Sequence, residues 1–142
     1  MSKKKPERPL PQSLGLPFAG ADSHAHLDHE GLLPDLSGRT SLASLGAVLA
    51  RLDGYVTNDS GPMHMAWAQH TPVTAMFGPT VLSLGFAPRG ELSTVMQVDE
   101  SCRPCGLHGH KACPQGHFRC MKEIDPEAVW RDIESKLSAR KS

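Results

Sequence analysis

A chain of 142 residues is long enough for one domain with a modest core. Its 15 Lys and Arg balance 15 Asp and Glu, so no global charge argues for nucleic acid or a membrane surface. No apolar run reaches the roughly 20 residues of a membrane-spanning helix, and Pro6, Pro9, Pro11 and Pro17 interrupt any apolar core of a secretory signal.

Residues 1–20 are rich in Pro, Lys and Gly, and Lys3, Lys4, Lys5 and Arg8 crowd their start, the composition of a solvated, disordered tail. Residues 21–30, ADSHAHLDHE, are polar, and Gly31, Pro34 and Gly38 break up the next ten. From Ser41 the pattern changes. Leu42, Leu45, Val48, Leu49 and Leu52 fall at helical spacing behind a Ser that can cap, which predicts an amphipathic helix over 41–52. Tyr55-Val56-Thr57 reads as a buried strand, and Asn58, Asp59, Ser60 and Gly61 form a polar turn after it. Pro62 suits a first helical turn, where its missing N–H costs nothing, so a helix runs to about Gln69 and stops at Thr71-Pro72. Val73 to Phe77 is a second strand, closed by Gly78-Pro79. Helix, strand, helix, strand with short connections is the pattern of an α/β unit with parallel strands. Thr94 to Val98 is a third candidate strand, residues 99–121 an irregular Cys/His/Gly/Pro-rich loop, and Asp125-Pro126 opens a last helix, Glu127 to Leu137, expected to bury Val129, Trp130, Ile133 and Leu137.

The turn after the first strand carries the chemistry. In parallel α/β proteins ligands sit beyond the carboxyl ends of strands, where the next helix begins. The first amides of that helix lack partners within it, and with the helix dipole they favour an anion such as phosphate. Gly61 permits close approach, Ser60 offers a hydroxyl, and His64 stands one turn into the helix. Asp59 would repel phosphate, so it either braces the turn or meets a sugar hydroxyl. Equally, Asp59 or Ser60 can simply cap the helix.

A second constellation lies in the loop: Cys102-x2-Cys105-x7-Cys113-x6-Cys120, interleaved with His108, His110 and His117. A structural zinc ion wants four Cys or His ligands. An iron–sulfur cluster, free thiols and a redox disulfide stay open beside it, with cytosolic chemistry weighting against structural disulfides.

The stretch VTNDSGPMHMAWAQHTPVTAMFGPT closely resembles the ADP-heptose:lipopolysaccharide heptosyltransferases, a glycosyltransferase family 9-like group, and the match continues through DLSGRTSLASLGAVLARLDG and the cysteine-bearing CRPCGLHGHKACPQGHFRCMKEIDPEAVW. The resemblance covers about residues 35–137 and implies a partial Rossmann-like parallel sheet with flanking helices, the C-terminal half of a GT-B enzyme, over residues 32–142. It implies that Asp59, Ser60, Gly61 and His64 surround the donor diphosphate and its sugar, with Thr80 at the rim of the same cleft. The family's reaction is an inverting displacement in which an inner-core sugar hydroxyl of lipopolysaccharide attacks ADP-heptose and ADP leaves, with no cofactor required. The implied partners are ADP-heptose or ADP and the inner-core acceptor, in the cytoplasm or peripherally at the inner face of the inner membrane, with no nucleic acid and no transmembrane segment. The family's base belongs to an N-terminal domain not recognisable here, so the chain is expected to hold a diphosphate cradle and to be inactive alone. Within residues 1–31, FAGADSHAHLDHEG resembles the opening of TatD-type metal-dependent nucleases, whose His-x-His pair matches His24 and His26. Two ligands fall short of the three that a catalytic metal centre uses. A TatD-type hydrolase fragment and a non-functional gene-fusion remnant are the competing readings.

Overall fold

A computed structural model describes residues 35–110 and 112–141. His24, His26 and the boundary expected near residue 31 lie outside the described residues. Residues Ser41–Ser142 form one compact unit. In chain order it contains α1 (Leu42–Leu49), β1 (Tyr55–Asn58), α2 (Gly61–Ala68), β2 (Val73–Met76), β3 (Ser93–Met96), α3 (Arg119–Lys122) and α4 (Pro126–Lys141), with a 3₁₀ turn at Leu82–Leu84.

The three strands form one parallel sheet in the order β1-β2-β3, with Val73 of β2 opposite Tyr55 on one side and Ser93 on the other. β2 is central, and its sequence fits that place, because Val73, Thr74 and Ala75 are all fully buried. A parallel strand covered on both faces cannot afford the polar alternation of a half-exposed one. Val73, Ala75 and Phe77 point to one side and pack with Leu49 of α1 and Met63 and Ala66 of α2. Ser41 caps α1 as expected, its Oγ accepting from Ser44 N at 3.2 Å. Leu49 is buried, Leu45 and Leu52 pack at the core's edge, and Leu42, at the helix start, is 77% exposed.

The opposite side of β2 carries Thr74, and there α4 docks through polar groups. Thr74 Oγ1 donates to Asp132 Oδ2 at 2.5 Å, and Lys136 Nζ reaches Asp132 Oδ2 (2.6 Å), Thr74 Oγ1 (3.0 Å) and the Val73 carbonyl (2.8 Å). Ile133 is buried beside them, close enough to Gly54 that a Cβ there would meet Ile133 Cδ1 at 2.5 Å. This network corrects the expected burial of Trp130, which is 58% exposed. At about 100° per residue, Trp130 lies roughly opposite Asp132 on the helix, so turning Asp132 to the sheet turns Trp130 outward. Val129 and Leu137 flank Ile133 and are half-buried.

Several boundaries moved. α1 ends at Leu49 rather than residue 52, β3 runs from Ser93 to Met96, α4 continues to Lys141 rather than Leu137, and the cysteine-rich loop ends in the short helix α3, which no periodicity in the loop announces. No helix among the described residues is long and apolar enough to cross a membrane.

Candidate functional site

The carboxyl ends of β1 and β2 open onto a cleft of ≈ 200 Å³, lined by Asn58 and Asp59 from the end of β1, Met76, Gly78, Pro79 and Thr80 from the end of β2, and His108, Phe118 and Met121 from the cysteine loop and α3. Parallel topology puts both strand ends on one edge, so the two polar turns that the sequence separates by twenty residues become neighbours. They are joined directly: Thr80 Oγ1 donates to Asp59 Oδ2 at 2.7 Å. Thr80 is 4% exposed. Asp59 N also donates to Met76 O at 3.1 Å, continuing the β1–β2 ladder into the turn. Of the two roles open to Asp59, bracing the turn is the one its hydrogen bonds perform.

Ser60 occupies the N-cap of α2 with extended backbone, yet its side chain caps nothing and lies 3.3 Å from Thr57 Oγ1. Pro62 has no amide hydrogen, and Met63 N donates to Ser60 O at 3.1 Å. The row of open donors is therefore short: Ser60 and Gly61 supply the amides of this turn that have no partner among the described residues. Ser60, Gly61 and His64 follow Asp59 into α2 but do not line the cleft, whereas Asp59 and Thr80 do.

Three lining residues come from the loop that sequence patterning left without structure. Arg103 explains how that loop is fixed. Its guanidinium donates to the carbonyls of Phe77 (3.3 Å), Thr80 (2.5 Å) and Val98, and to Gln97 Oε1 at 3.0 Å. A planar fork with five donors can gather carbonyls from several segments at once. Arg103 Nε is buried without a partner among the described residues. Cys105 N adds a bond to Pro79 O at 2.9 Å. The ring of His108 lies 6.1 Å from that of Phe86. Nothing in the spacing CRPC marks Arg103 or His108 for these places; His108 stood out only as one His in a possible ligand set.

None of the four cysteines is paired in a disulfide; Cys120 is buried and the others are half-buried. Burial raises Cys105, and the charges of Cys102, Cys120 and Cys113 raise it further. Burial also raises Cys120, against the pull of the nearby Arg103 cation. Cys113 is held below the usual thiol range, first by the Phe118 amide, with burial opposing, and then by the amides of Gln115, His117 and Gly116. Cys105, Cys113 and Cys120 border a second, much smaller cavity that shares Pro79 and Phe118 with the cleft. Among the described residues, the set of metal-capable groups whose ligand atoms all lie within 4.8 Å of one another is Glu100, Cys102 and His117.

A strand-end cleft beside a helix start, in a parallel α/β sheet, is the arrangement of proteins that hold phosphorylated ligands. Residues 22–117 match glycosyltransferase family 9 (heptosyltransferase), and the chain belongs to that family. The match begins at residue 22, inside the stretch expected to be tail. The chain is similar to lipooligosaccharide heptosyltransferase 2 of Haemophilus influenzae, with 44% identity over 104 residues, 73% of this chain and 29% of the relative. It is also similar to lipooligosaccharide heptosyltransferase 2 of Campylobacter jejuni serotype O:6, 35% identical over 104 residues (73% and 32%), and to lipopolysaccharide heptosyltransferase 2 of Salmonella typhimurium, 33% identical over 106 residues (73% and 29%). The chain spans about a third of the length of these relatives. No solved structure matches it.

Proposed function

We propose that this chain is the donor-gripping part of a heptosyltransferase of lipopolysaccharide core assembly, with the cleft at the ends of β1 and β2 receiving the diphosphate of ADP-heptose. The observation that supports it most is the Asp59–Thr80 hydrogen bond of 2.7 Å, which ties the two strand-end turns into one concave edge at the start of α2. Ser60, Gly61 and His64 stand at the start of α2 beside the cleft rather than in its lining, so their part is to meet phosphate oxygens that extend past Asp59 toward that helix, while Thr80 with Asp59 fixes the rim. Stabilising the departing diphosphate in this way lowers the barrier to loss of ADP. Asp59 is the carboxylate lining the cleft, and it is engaged by Thr80. It orients the turn, and no role as base for the acceptor hydroxyl falls to it. Donor binding without transfer is accordingly the activity assigned to these residues. The transfer chemistry takes no cofactor, and zinc in the cysteine loop has a structural part. The acceptor is the lipopolysaccharide inner core, met at the inner face of the inner membrane.

Calorimetric titration of the 142-residue chain with ADP, ADP-heptose and UDP tests the assignment. ADP and ADP-heptose should bind, and UDP should bind at least about tenfold more weakly, a difference of ~1.4 kcal/mol. Equal affinity for ADP and UDP, or no binding by folded protein, would reject it. Thr80→Val should weaken ADP binding while leaving the fold intact.

A further inference from the structure

The two ends of the cysteine loop meet at one place. Glu100 and Cys102 follow β3, His117 precedes α3, and one ligand atom from each lies within 4.8 Å of the other two. A carboxylate, a thiolate and an imidazole together are a donor set for a borderline-soft divalent ion. All three residues are half-buried, so an ion can enter from solvent and still be held by protein on most sides.

The present partners of these groups leave room for an ion. The Glu100 side chain is only 10% exposed, and a carboxylate so far from water needs a cation beside it. Arg119, 54% exposed, supplies one, with Nε 3.1 Å from Oε1 and a terminal nitrogen 3.3 Å from Oε2. A carboxylate has about four lone-pair directions and such a fork uses two, so two stay open to a metal. Arg119 also lies 4.0 Å from Glu123, which offsets its charge. Hydrogen bonds behind a ligating carboxylate are the usual support for it. His117 Nδ1 accepts from Arg119 N at 3.1 Å. In a neutral ring the accepting nitrogen carries the free lone pair. An ion therefore takes the place of that amide, which at an exposed helix start turns to water.

We infer that Glu100, Cys102 and His117 bind one zinc-class divalent ion, with water in the fourth place, and that the ion ties the two ends of the cysteine loop together. On binding, the Cys102 thiol loses its proton to solvent. Bonds to sulfur, nitrogen and oxygen replace three metal–water bonds, and nothing is oxidised or reduced. Phe118, next in the chain to His117, lines the cleft, so the tether ends at the cleft's wall. Neither the ligands nor the readouts below depend on the donor assignment.

The test uses the full chain, purified without a His tag, dialysed against excess zinc and desalted. About one equivalent of zinc per chain should remain. Cobalt in its place should give the visible bands of a tetrahedral ion and a near-ultraviolet sulfur band of a single thiolate's intensity, a readout that needs no variant. Even groups behind a ligand are worth about 10–100-fold in metal affinity, so Cys102→Ser and His117→Gln should each weaken zinc at least about a hundredfold. Glu100→Gln should weaken it by a smaller factor, and Cys113→Ser should bind it as the parent does. Zinc should also slow proteolysis between residues 103 and 116. A chain that retains no zinc, a sulfur band of four-thiolate strength, an ion kept by His117→Gln or lost by a folded Cys113→Ser, or cleavage indifferent to zinc overturns the inference. Where a variant does not fold, the cobalt spectrum of the parent chain decides.

Discussion

Asp132 and Arg103 show how single side chains fix what their neighbours cannot. Burial would raise the Asp132 carboxyl, but hydrogen bonds from Lys136, Thr74 and Thr94, with the Lys136 charge, outweigh it and hold the group below its ordinary 3.8. A lowered folded value means that the stabilisation is complete above the unfolded value and fades as pH falls through the folded one. Urea midpoints of the chain and of Asp132→Asn should therefore differ by a constant amount from pH 7 down to about pH 5, and converge in stronger acid. Lys136→Met leaves a part-buried carboxylate without its cation and should cost about 2–3 kcal/mol at pH 7. Arg103→Lys tests the fork: an ammonium cannot gather the carbonyls of Phe77, Thr80 and Val98 together. A loss of about 2 kcal/mol is expected from leaving such acceptors unmet, with faster amide exchange across residues 78–80. None of these partnerships is legible in sequence. Thr74 and Asp132 are 58 positions apart, and Arg103 looks like a spacer inside CRPC.

At the level of elements, local spacing goes far. The helices at 42–49 and 61–68 and the strands at 55–58 and 73–76 follow from apolar periodicity, a Ser cap and a Pro at the helix start, all of which act within a few residues. The phase of α4 does not, because a polar network across the sheet sets its rotation and puts Trp130 outside. The cleft's back wall was hidden for a related reason: residues 99–118 have no period, and their position depends on what they touch. Gly78 marks one such contact. A Cβ there would collide with the Met121 thioether, so Gly78→Ala must displace that side chain or the α3 segment that carries it. About 1–3 kcal/mol of destabilisation is expected from this overpacking, and Gly78→Ala/Met121→Ala should recover part of it. Thermal melts of the three variants read this coupling directly.

For the molecule as a whole, the two polar turns of the cleft are legible in sequence as turns, but their union at 2.7 Å is a product of parallel order. A ligand bound there stabilises the folded state by mass action. ADP at about one hundred times its dissociation constant should contribute about 2.7 kcal/mol, and a melting temperature indifferent to ADP would count against the cleft as its site. The order β1-β2-β3 has another outcome. With every pairing parallel, no hairpin can start the sheet, and β2 waits for residues 59–72 and 77–92 to loop round before either neighbour arrives. Helices can flicker into being early, while the sheet must condense as a late, all-together event. Stopped-flow refolding should show helical signal rising ahead of the burial of Tyr55, which packs against the core, with the slower phase on a scale of milliseconds to seconds.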